Sequence, residues 1–386
     1  MRLRQFGYFE KPDDLKDWTL ESFQLGLINL LVGKNATGKT RCLNCIAGLA
    51  GLLSQRGRIG YGKFAVEFDH DEHSILYQLN IIKARVEEER FTVDGKDLLL
   101  RDKIGSGFVY TEQIKGNLEI GVSEEQLAAV AKSDRLQQPF LERLTNWAKD
   151  LRHYQFGGEM GHHQVVTIVP AVLPPPDPRD PNQAVGLFHD AQKRNPKFAE
   201  FVRADMAAIG YDIEEVRIAP LELPIMTPIP VPMPSQLLGL AVKEIDRAAP
   251  TSQFEMSQGM FRALSIIVHV NYAEHFAPAS CVLLDDVGEG LDFQRSSLLI
   301  KLLIGKAQAK GFQLIMTTND RFVMNAIPLA HWGVVIRQGS KCQILNVASN
   351  PDLFNEFEFT GLNNFDFLAT EFWKRSLPGH PEPSNA

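Results

Sequence analysis

The sequence has few cysteines, no long apolar run and no excess of positive charge. Four cysteines among 386 residues are too few for a disulfide framework. No apolar run reaches the roughly 20 residues that a membrane-spanning helix needs. Residues 1–7 lack the apolar stretch of a signal peptide, so we expect a cytoplasmic protein without a membrane partner. The net charge of −7 gives no support to a nucleic-acid partner, although a local basic patch is compatible with it.

The composition that remains is that of an ordinary globular protein. Hydrophobic residues make up 44% of the chain and charged residues 23%. The length suits one large domain or two domains of common size. Residues 1–32 predict two strands around a turn, and the alternation of apolar residues over 63–101 predicts an antiparallel meander. Within that meander Asp94 and Gly95 predict a two-residue hairpin turn.

The most informative stretch is 33–40, which reads G-K-N-A-T-G-K-T. It follows the apolar run 27–32 and precedes a helical pattern over 41–55, so the strand, loop and helix of a P-loop are all present. Its glycines let the backbone turn its N–H groups toward a polyphosphate, and the helix N-terminus adds to the attraction. This pattern predicts a nucleoside triphosphate site. The predicted nucleotide-binding residues are Gly33, Lys34, Asn35, Ala36, Thr37, Gly38, Lys39, Thr40 and Arg41.

The spacing also predicts individual roles in a site for ATP and Mg²⁺. Lys39 would reach the β- and γ-phosphates, and the Thr40 hydroxyl would be a magnesium ligand. Residues 281–286 form an apolar run ending in two carboxylates, which predicts Asp285 in the magnesium shell and Asp286 polarising the attacking water. Gln113 is a candidate for a glutamine that bridges Mg²⁺ and water, with a plain loop amide as the alternative.

Two aromatic residues near the start of the chain have two interpretations. Tyr8 or Trp18 would either stack on an adenine base or pack in the core. Further along, residues 121–219 are predicted to be mostly helical, with proline-rich segments at 170–181 and 220–234. Residues 237–345 alternate strands and helices, which favours a mainly parallel sheet. The phenylalanine-rich stretch 353–373 predicts a terminal helix and strand.

Three further motifs complete a recognisable order. Residues 256–262 (M-S-Q-G-M-F-R) open a helix upstream of Asp285, and 289–292 (E-G-L-D) and 317–320 (T-T-N-D) follow it. With the P-loop, this order resembles an ABC-type ATPase head, with its signature, Walker B strand, D-loop and switch. The chain resembles in particular the stand-alone AAA/ABC-like ATPases related to OLD, RecF and SMC heads, many of which belong to prokaryotic anti-phage systems.

The resemblance implies an architecture. The fold class would be α/β, an ABC-type P-loop NTPase head with a mainly parallel sheet, an antiparallel β meander and a helical, proline-broken insertion. Residues 1–120 would form the N-terminal half of the head with the P-loop, and 121–235 the insertion. Residues 236–386 would form the C-terminal half with the signature, Walker B strand and switch.

The resemblance also implies a mechanism. Ser257 and Gly259 would complete the γ-phosphate site of a second copy, so ATP would hold together a homodimer or a higher homo-oligomer. Asn319 would occupy the switch position. Asp286 stands where the family usually has glutamate, and Asn319 where many members have histidine. Because a displacement near 1 Å can cost on the order of 10²-fold in rate, these departures predict slow hydrolysis.

Three functions compete at this point. The first is a sensor or regulatory ATPase for a separate effector protein in bacterial defence. The second is a DNA-repair ATPase of the RecF or SMC sort, although the insertion has no heptad repeat for a coiled-coil arm. The third is a transporter subunit, against which the altered signature Ser-Gln-Gly argues. The stretch after residue 345 is too short for the Toprim nuclease of OLD proteins, so any effector would be a separate chain.

Overall fold

The computed structural model describes residues 1–11, 16–164, 166–167, 175–221 and 237–376. Part of the first predicted proline-rich segment, almost all of the second and the tail from residue 377 lie outside these residues. The strands are β1 (Arg2–Phe9), β2 (Thr19–Gln24), β3 (Ile28–Val32), β4 (Gly62–His70), β5 (His73–Ile82), β6 (Arg85–Val93), β7 (Lys96–Arg101), β8 (Ser106–Thr111), β9 (Gly116–Gly121), β10 (Leu151–Gln155), β11 (Val166–Thr167), β12 (Ile213–Pro220), β13 (Leu237–Glu244), β14 (Thr251–Ser252), β15 (Cys281–Asp285), β16 (Gln313–Thr317), β17 (Trp332–Gln338) and β18 (Lys341–Asn346).

The α-helices lie outside the run of strands from β4 to β9. The α-helices are α1 (Lys39–Leu53), α2 (Ala128–Ala131), α3 (Pro139–Asp150), α4 (Ala184–Arg194), α5 (Phe198–Ala208), α6 (Gln258–His275), α7 (Phe293–Lys310), α8 (Arg321–Ala326), α9 (Pro351–Glu358) and α10 (Asp366–Ala369). Short 3₁₀ helices occur at Pro181–Gln183, Gln253–Glu255, Leu329–His331 and Phe372–Ser376. In the part of the chain that the structure describes, no helix combines the length and the apolar character that a bilayer crossing requires.

The chain forms two compact units. Unit 1 comprises the described residues of Met1–Leu151, Ser280–Leu283 and Gly311–Ala386, and unit 2 those of Arg152–Ala279 and Leu284–Lys310. The division therefore falls within β15.

The centre of unit 1 is β3, whose five residues are all buried. It runs parallel to β16 on one side and to β17 on the other, with Leu31 opposite Thr317 and Val32 opposite Val334. A strand covered on both faces is mostly apolar, as I-N-L-L-V is apart from Asn29, whose side chain accepts from the Gly26 N–H and donates to the Gly26 carbonyl. Beyond β17 the sheet continues through β18, β2 and β1 to β4, and β1 is antiparallel to β2 and β4.

The predicted antiparallel meander is confirmed. Strands β4 to β9 pair consecutively and antiparallel. At the predicted hairpin, Asp94 and Gly95 have φ angles of 48° and 80°. Positive φ at both central residues is the geometry of a type I′ turn, which matches the twist of the flanking strands. The mixed α/β class predicted from the sequence is therefore correct.

Unit 1 extends beyond the predicted domain boundary at residue 120. Helix α3 packs against α1, and its buried face contributes Leu141, Leu144 and Trp147 to the same core as the meander. The Trp147 ring lies edge-on to Phe68 on β4, with centroids 4.8 Å apart. A boundary at residue 120 would remove this helix from the core that it covers.

Unit 2 contains helices α4 to α7 and a smaller sheet in the order β11-β13-β12, with β14 also paired to β13. Strand β12 was not expected, because 121–219 reads as mostly helical in the sequence. An ion-pair cluster joins three of the helices. Lys306 of α7 lies 2.8 Å from the Asp205 carboxylate of α5 and 2.9 Å from the Glu274 carboxylate of α6. Since all three side chains are at most 17% exposed, the pairs are well shielded from solvent.

The end of unit 1 corrects one expectation. The predicted terminal strand within 353–373 is wrong, because this stretch forms α9, α10 and a 3₁₀ helix. Phenylalanines account for the difference. Their rings pack against one another. The rings of Phe354 and Phe367 are stacked with centroids 4.8 Å apart, and those of Phe357 and Phe372 meet edge-on with centroids 5.1 Å apart. Residues 351–376 are called the C-terminal segment below.

Candidate functional site

The loop after β3 has the geometry of a phosphate cradle. Gly38 precedes α1 with a φ of 106°, a conformation that side chains rarely adopt. At Gly33 a Cβ would lie only 2.7 Å from the Val335 carbonyl oxygen on β17, so this position has room for glycine alone. Ala36 also has a positive φ, 62°. The loop thus turns sharply enough to direct N–H groups inward at the N-terminus of a fifteen-residue helix.

Lys39 is held inside this loop. Its ammonium donates to the Gly33 carbonyl at 2.9 Å and to the Lys34 carbonyl at 3.3 Å, and the residue is only 7% exposed. The Thr37 hydroxyl donates to the same Lys34 carbonyl at 2.9 Å. A cation fixed among main-chain carbonyls of a glycine loop is oriented for an anion bound by that loop. The residues predicted from the motif therefore form one structural unit.

Arg41 lies against the aromatic residues near the start of the chain. Its guanidinium is 4.5 Å from the Trp18 ring centroid and donates to the Glu10 carboxylate at 2.6 Å. Trp18 is 4% exposed and belongs to the hydrophobic core, so core packing is the role that the structure supports for it. Tyr8 packs on Trp18 with ring centroids 6.1 Å apart, and burial raises the pKa of its hydroxyl to about 12.

The predicted switch lies beside the P-loop in unit 1. Because β16 and β3 are parallel with Thr317 opposite Leu31, their carboxyl ends meet at the same edge of the sheet. Thr318 is buried, and Asn319 is exposed in the connection to α8. Asp320 caps that helix by accepting from the Phe322 and Val323 N–H groups. Parallel strands thus place the switch loop next to the phosphate cradle.

The two predicted acidic residues lie at the end of β15, in unit 2. Asp285 is 5% exposed, and its carbonyl accepts a 2.9 Å hydrogen bond from the Phe156 N–H. Asp286 has a φ of 51°, in the left-handed region that aspartate tolerates better than most residues. Strained conformations of this kind cluster at functional sites. Burial lowers the pKa of His153 on β10, and the Asp285 carboxylate acts in the opposite direction.

The predicted signature residues begin α6. Ser257 caps this helix, and its hydroxyl accepts from the Met260 N–H at 3.2 Å. A Cβ on Gly259 would lie 2.2 Å from the Gly290 carbonyl oxygen, so the helix approaches the 289–292 loop as closely as glycine allows. The structure therefore brings the signature and the predicted D-loop together within unit 2.

Arg262 is a residue for which the sequence reasoning found no role. It is 5% exposed and donates to the carbonyls of Gly157 at 2.6 Å, Gly158 at 2.7 Å and Glu289 at 3.2 Å. One side chain on α6 thereby fixes both the loop after β10 and the D-loop. The only sequence signal was its position five residues after Ser257 on the same helix, since its partners are remote in the chain.

Gln113 lies near strands that are far from β3 in the strand order of the sheet. It lies exposed in the turn between β8 and β9, the last two strands of the sheet that contains β3. Its role as a magnesium ligand stays a prediction.

The residues of the loop fit ATP with Mg²⁺. Among the described residues, no group of three or more histidine, cysteine or acidic side chains could hold a metal alone. Magnesium usually takes one or two carboxylates together with substrate phosphates, so this site needs no dedicated cage. A hydroxyl at Thr40 directly after the buried Lys39 matches the donor set of a P-loop.

Fold and site together define an ABC/AAA-type P-loop ATPase related to SMC heads. Two solved structures share the fold. The first, "Crystal structure of the SmcHead bound to the C-winged helix domain of ScpA", is 14% identical with a TM-score of 0.53, and the match covers 89% of this chain and 97% of that chain. The second, the Smc head domain with an extended coiled coil bound to the C-terminal domain of ScpA derived from Pyrococcus furiosus, is 12% identical with a TM-score of 0.50, and the match covers 92% of this chain and 99% of that chain. The chain belongs to the family described as "AAA domain, putative AbiEii toxin, Type IV TA system", whose model matches residues 28–325. No curated protein matches it in sequence.

Proposed function

We propose that this protein is an Mg-ATP-dependent ATPase that acts as the sensor or regulatory subunit for a separate effector protein. The observation that carries the proposal is the phosphate cradle after β3, with Lys39 fixed between the Gly33 and Lys34 carbonyls. In this proposal the P-loop N–H groups and Lys39 bind the phosphates, and Thr40 and Asp285 hold the metal. Mg²⁺, when bound, would neutralise charge on the β- and γ-phosphate oxygens.

Hydrolysis is the step that we assign to Asp286, which would orient the attacking water. We propose a turnover below roughly 1 per second, at the low end of the usual enzyme scale. The left-handed backbone at Asp286 supports an aspartate at this position, and an aspartate reaches one methylene less far than the glutamate of related ATPases. Such a rate suits a switch that stays in its ATP state.

Association of two copies across ATP is the proposed output. Ser257 and Gly259 at the start of α6 would contact the γ-phosphate bound by a second copy, and the helix N-terminus would attract that anion. The close packing of Gly259 on Gly290 supports a rigid signature that is coupled to the D-loop. Asn319 would sense the γ-phosphate from the switch loop. The homodimer, or a larger homo-oligomer, would then present a surface to the effector.

A role in bacterial anti-phage defence is the biological setting that we propose. The family description, which names a toxin of a type IV toxin–antitoxin system, supports a control function with a partner chain. A DNA-repair ATPase is the second candidate, because the similar structures are Smc heads, shown with a bound ScpA domain. The net charge of −7 favours the first candidate over direct DNA binding.

The proposal is tested by nucleotide binding to the Lys39→Ala protein. We expect the wild-type protein to bind Mg-ATP in calorimetry and the variant to lose at least a hundredfold in affinity, because a buried charge-assisted contact is removed. The exposed Lys103→Ala protein is the control and should bind as the wild type does. Equal binding by all three proteins, or by none, would refute the proposed nucleotide site.

A further inference from the structure

The C-terminal segment has its own aromatic core. Phe357 and Phe367 meet edge-on with centroids 5.0 Å apart, and the rings of Phe367 and Phe372 lie 5.8 Å apart. The family model ends at residue 325, before this segment begins. The family model therefore does not account for the contacts between this segment and the rest of unit 1.

One contact reaches the P-loop directly. The Glu371 carboxylate is ion-paired with Lys34, the residue after the first glycine of the phosphate cradle, and also with Lys374. Glu371 has a φ of 56°, an uncommon conformation for glutamate, where this pairing is made. Hydrogen bonds from Lys34 and Lys374 lower the pKa of the Glu371 carboxyl to about 2, so it is an anion at any physiological pH.

A second contact reaches the helix after the switch. The Asn364 side chain donates to the Ile327 carbonyl at 2.8 Å, and the Phe365 N–H donates to the Asn325 side chain at 2.8 Å. Asn325 belongs to α8, which begins directly after the switch loop. The segment thus joins the phosphate cradle to the element that follows the predicted γ-phosphate sensor.

Lys34 is also linked to the phosphate-binding lysine through its own backbone. Its carbonyl accepts from both the Lys39 ammonium and the Thr37 hydroxyl. A change in where the Lys34 side chain is held can therefore be transmitted to the backbone that orients Lys39.

We propose that Glu371 is a positioning residue that competes with the nucleotide phosphates for the Lys34 ammonium. The C-terminal segment is then a latch that ATP binding releases at Lys34, while Asn364 and Phe365 keep it attached to α8. This inference rests on the proposed ATP site. The charges support it, because the Glu371 carboxylate holds the Lys34 cation that a bound triphosphate would otherwise attract. Since Lys34 is 68% exposed and Glu371 31%, the contact is exchangeable rather than permanent.

The test compares the binding of a non-hydrolysable Mg-ATP analogue to wild-type and Glu371→Gln proteins. We expect the variant to bind about twofold to fivefold more tightly at low salt, which is the range of an exposed ion pair. The difference should become smaller as the salt concentration rises, because the attraction within an exposed ion pair is screened by salt. Glu356→Gln, a change at an exposed glutamate of the same segment, is the matched control and should bind as the wild type does.

A double substitution separates competition from a merely structural role. In a Lys34→Ala background, Glu371→Gln should change the affinity by less than about 1.5-fold, because the contested cation is gone. The emission of Trp373, two residues after Glu371, should change when the analogue binds to the wild type. The part of the fluorescence change that comes from Trp373 should be absent in Trp373→Phe protein, which retains the other three tryptophans.

The outcomes distinguish this inference from the function on which it rests. Unchanged or weaker binding by Glu371→Gln, with wild-type binding intact, overturns the latch. An equal effect of Glu371→Gln with and without Lys34 overturns it as well. Failure of the wild type and of every variant to bind nucleotide overturns the proposed ATP site itself.

Discussion

At the scale of single residues, Asp286 shows how backbone conformation and chemistry are coupled. Its φ of 51° lies in a region where aspartate and asparagine are several-fold enriched over other side chains. A glutamate here would reach farther but would strain the backbone more. An asparagine at this position keeps the backbone preference while it removes the charge, so Asp286→Asn is a mild substitution for the fold.

Arg262 provides a prediction at this scale. In the Arg262→Ala protein the carbonyls of Gly157, Gly158 and Glu289 lose a buried cationic donor, so we expect a loss of about 2–3 kcal/mol in the free energy of unfolding. The proposed ATP hydrolysis should fall with it, because the predicted D-loop is no longer fixed by Arg262. Urea unfolding and a phosphate-release assay measure the two effects. Arg203→Ala, at an exposed position on α5, should change neither; wild-type stability in Arg262→Ala would contradict the role assigned here.

Two helical glycines make a matched pair for a second prediction. Gly259→Ala places a Cβ against the Gly290 carbonyl, so the helix or the D-loop must shift, at a cost of about 1–3 kcal/mol. Gly305→Ala, in the middle of α7, meets nothing within 4 Å and should stabilise the fold by about 0.5–1 kcal/mol. Thermal unfolding of both variants and of the wild type measures the two changes in stability. An unchanged or raised melting temperature in Gly259→Ala would contradict the close contact between Gly259 and Gly290.

At the scale of elements, the sequence predicted the structure correctly where residues close together in the chain determine it. The unit formed by β3, the P-loop and α1 depends on the strand Ile28–Val32 and on Gly33 and Gly38 directly after it. The hairpin turn depends on Asp94 and Gly95 alone. The C-terminal segment was partly mispredicted, because its phenylalanines pack on one another rather than across a sheet. Arg262 was missed because its partners at Gly157 and Gly158 are more than 100 residues away. Sequence periodicity carries no information about such a contact.

The packing of α6 predicts a pH dependence of stability. Burial lowers the pKa of His269 on α6, and of His162, whose ring stacks on Phe261 of the same helix at 4.7 Å. A histidine with a lowered pKa in the folded state takes up its proton more readily when unfolded. Folding is therefore favoured above pH 6.5, and that stability is lost as the pH falls below the unfolded-state pKa.

Urea unfolding at pH 7.5 and at pH 5.5 checks this expectation. The midpoint should be lower at pH 5.5, and the drop should be smaller in His269→Gln protein, which has one fewer buried group to protonate. His73→Gln is the control, because this exposed histidine is ion-paired with Asp94 and belongs to β5 rather than to α6, so its removal should not make the drop smaller. A midpoint that rises on acidification would contradict the assignment.

At the scale of the whole molecule, the motifs are divided between two compact units. Unit 1 contains the P-loop and the predicted switch, and unit 2 contains the predicted signature, the predicted D-loop and Asp286. Such a division suits a protein in which the proposed ATP-dependent association uses the P-loop of one copy and the signature of another. Sequence motifs predicted which residues belong to each set. They carried no information on the C-terminal segment beside Lys34, because a glutamate among phenylalanines matches no motif.

The most direct test of the central claim is the solution mass of the Asp286→Asn protein, measured by light scattering with and without Mg-ATP. This substitution should keep nucleotide binding and slow hydrolysis, so an ATP-held assembly accumulates. We expect a mass that doubles only when Mg-ATP is present, and that stays at the value of one copy in the Asp286→Asn, Lys39→Ala protein. A mass that remains at one copy with saturating Mg-ATP would contradict association through the signature.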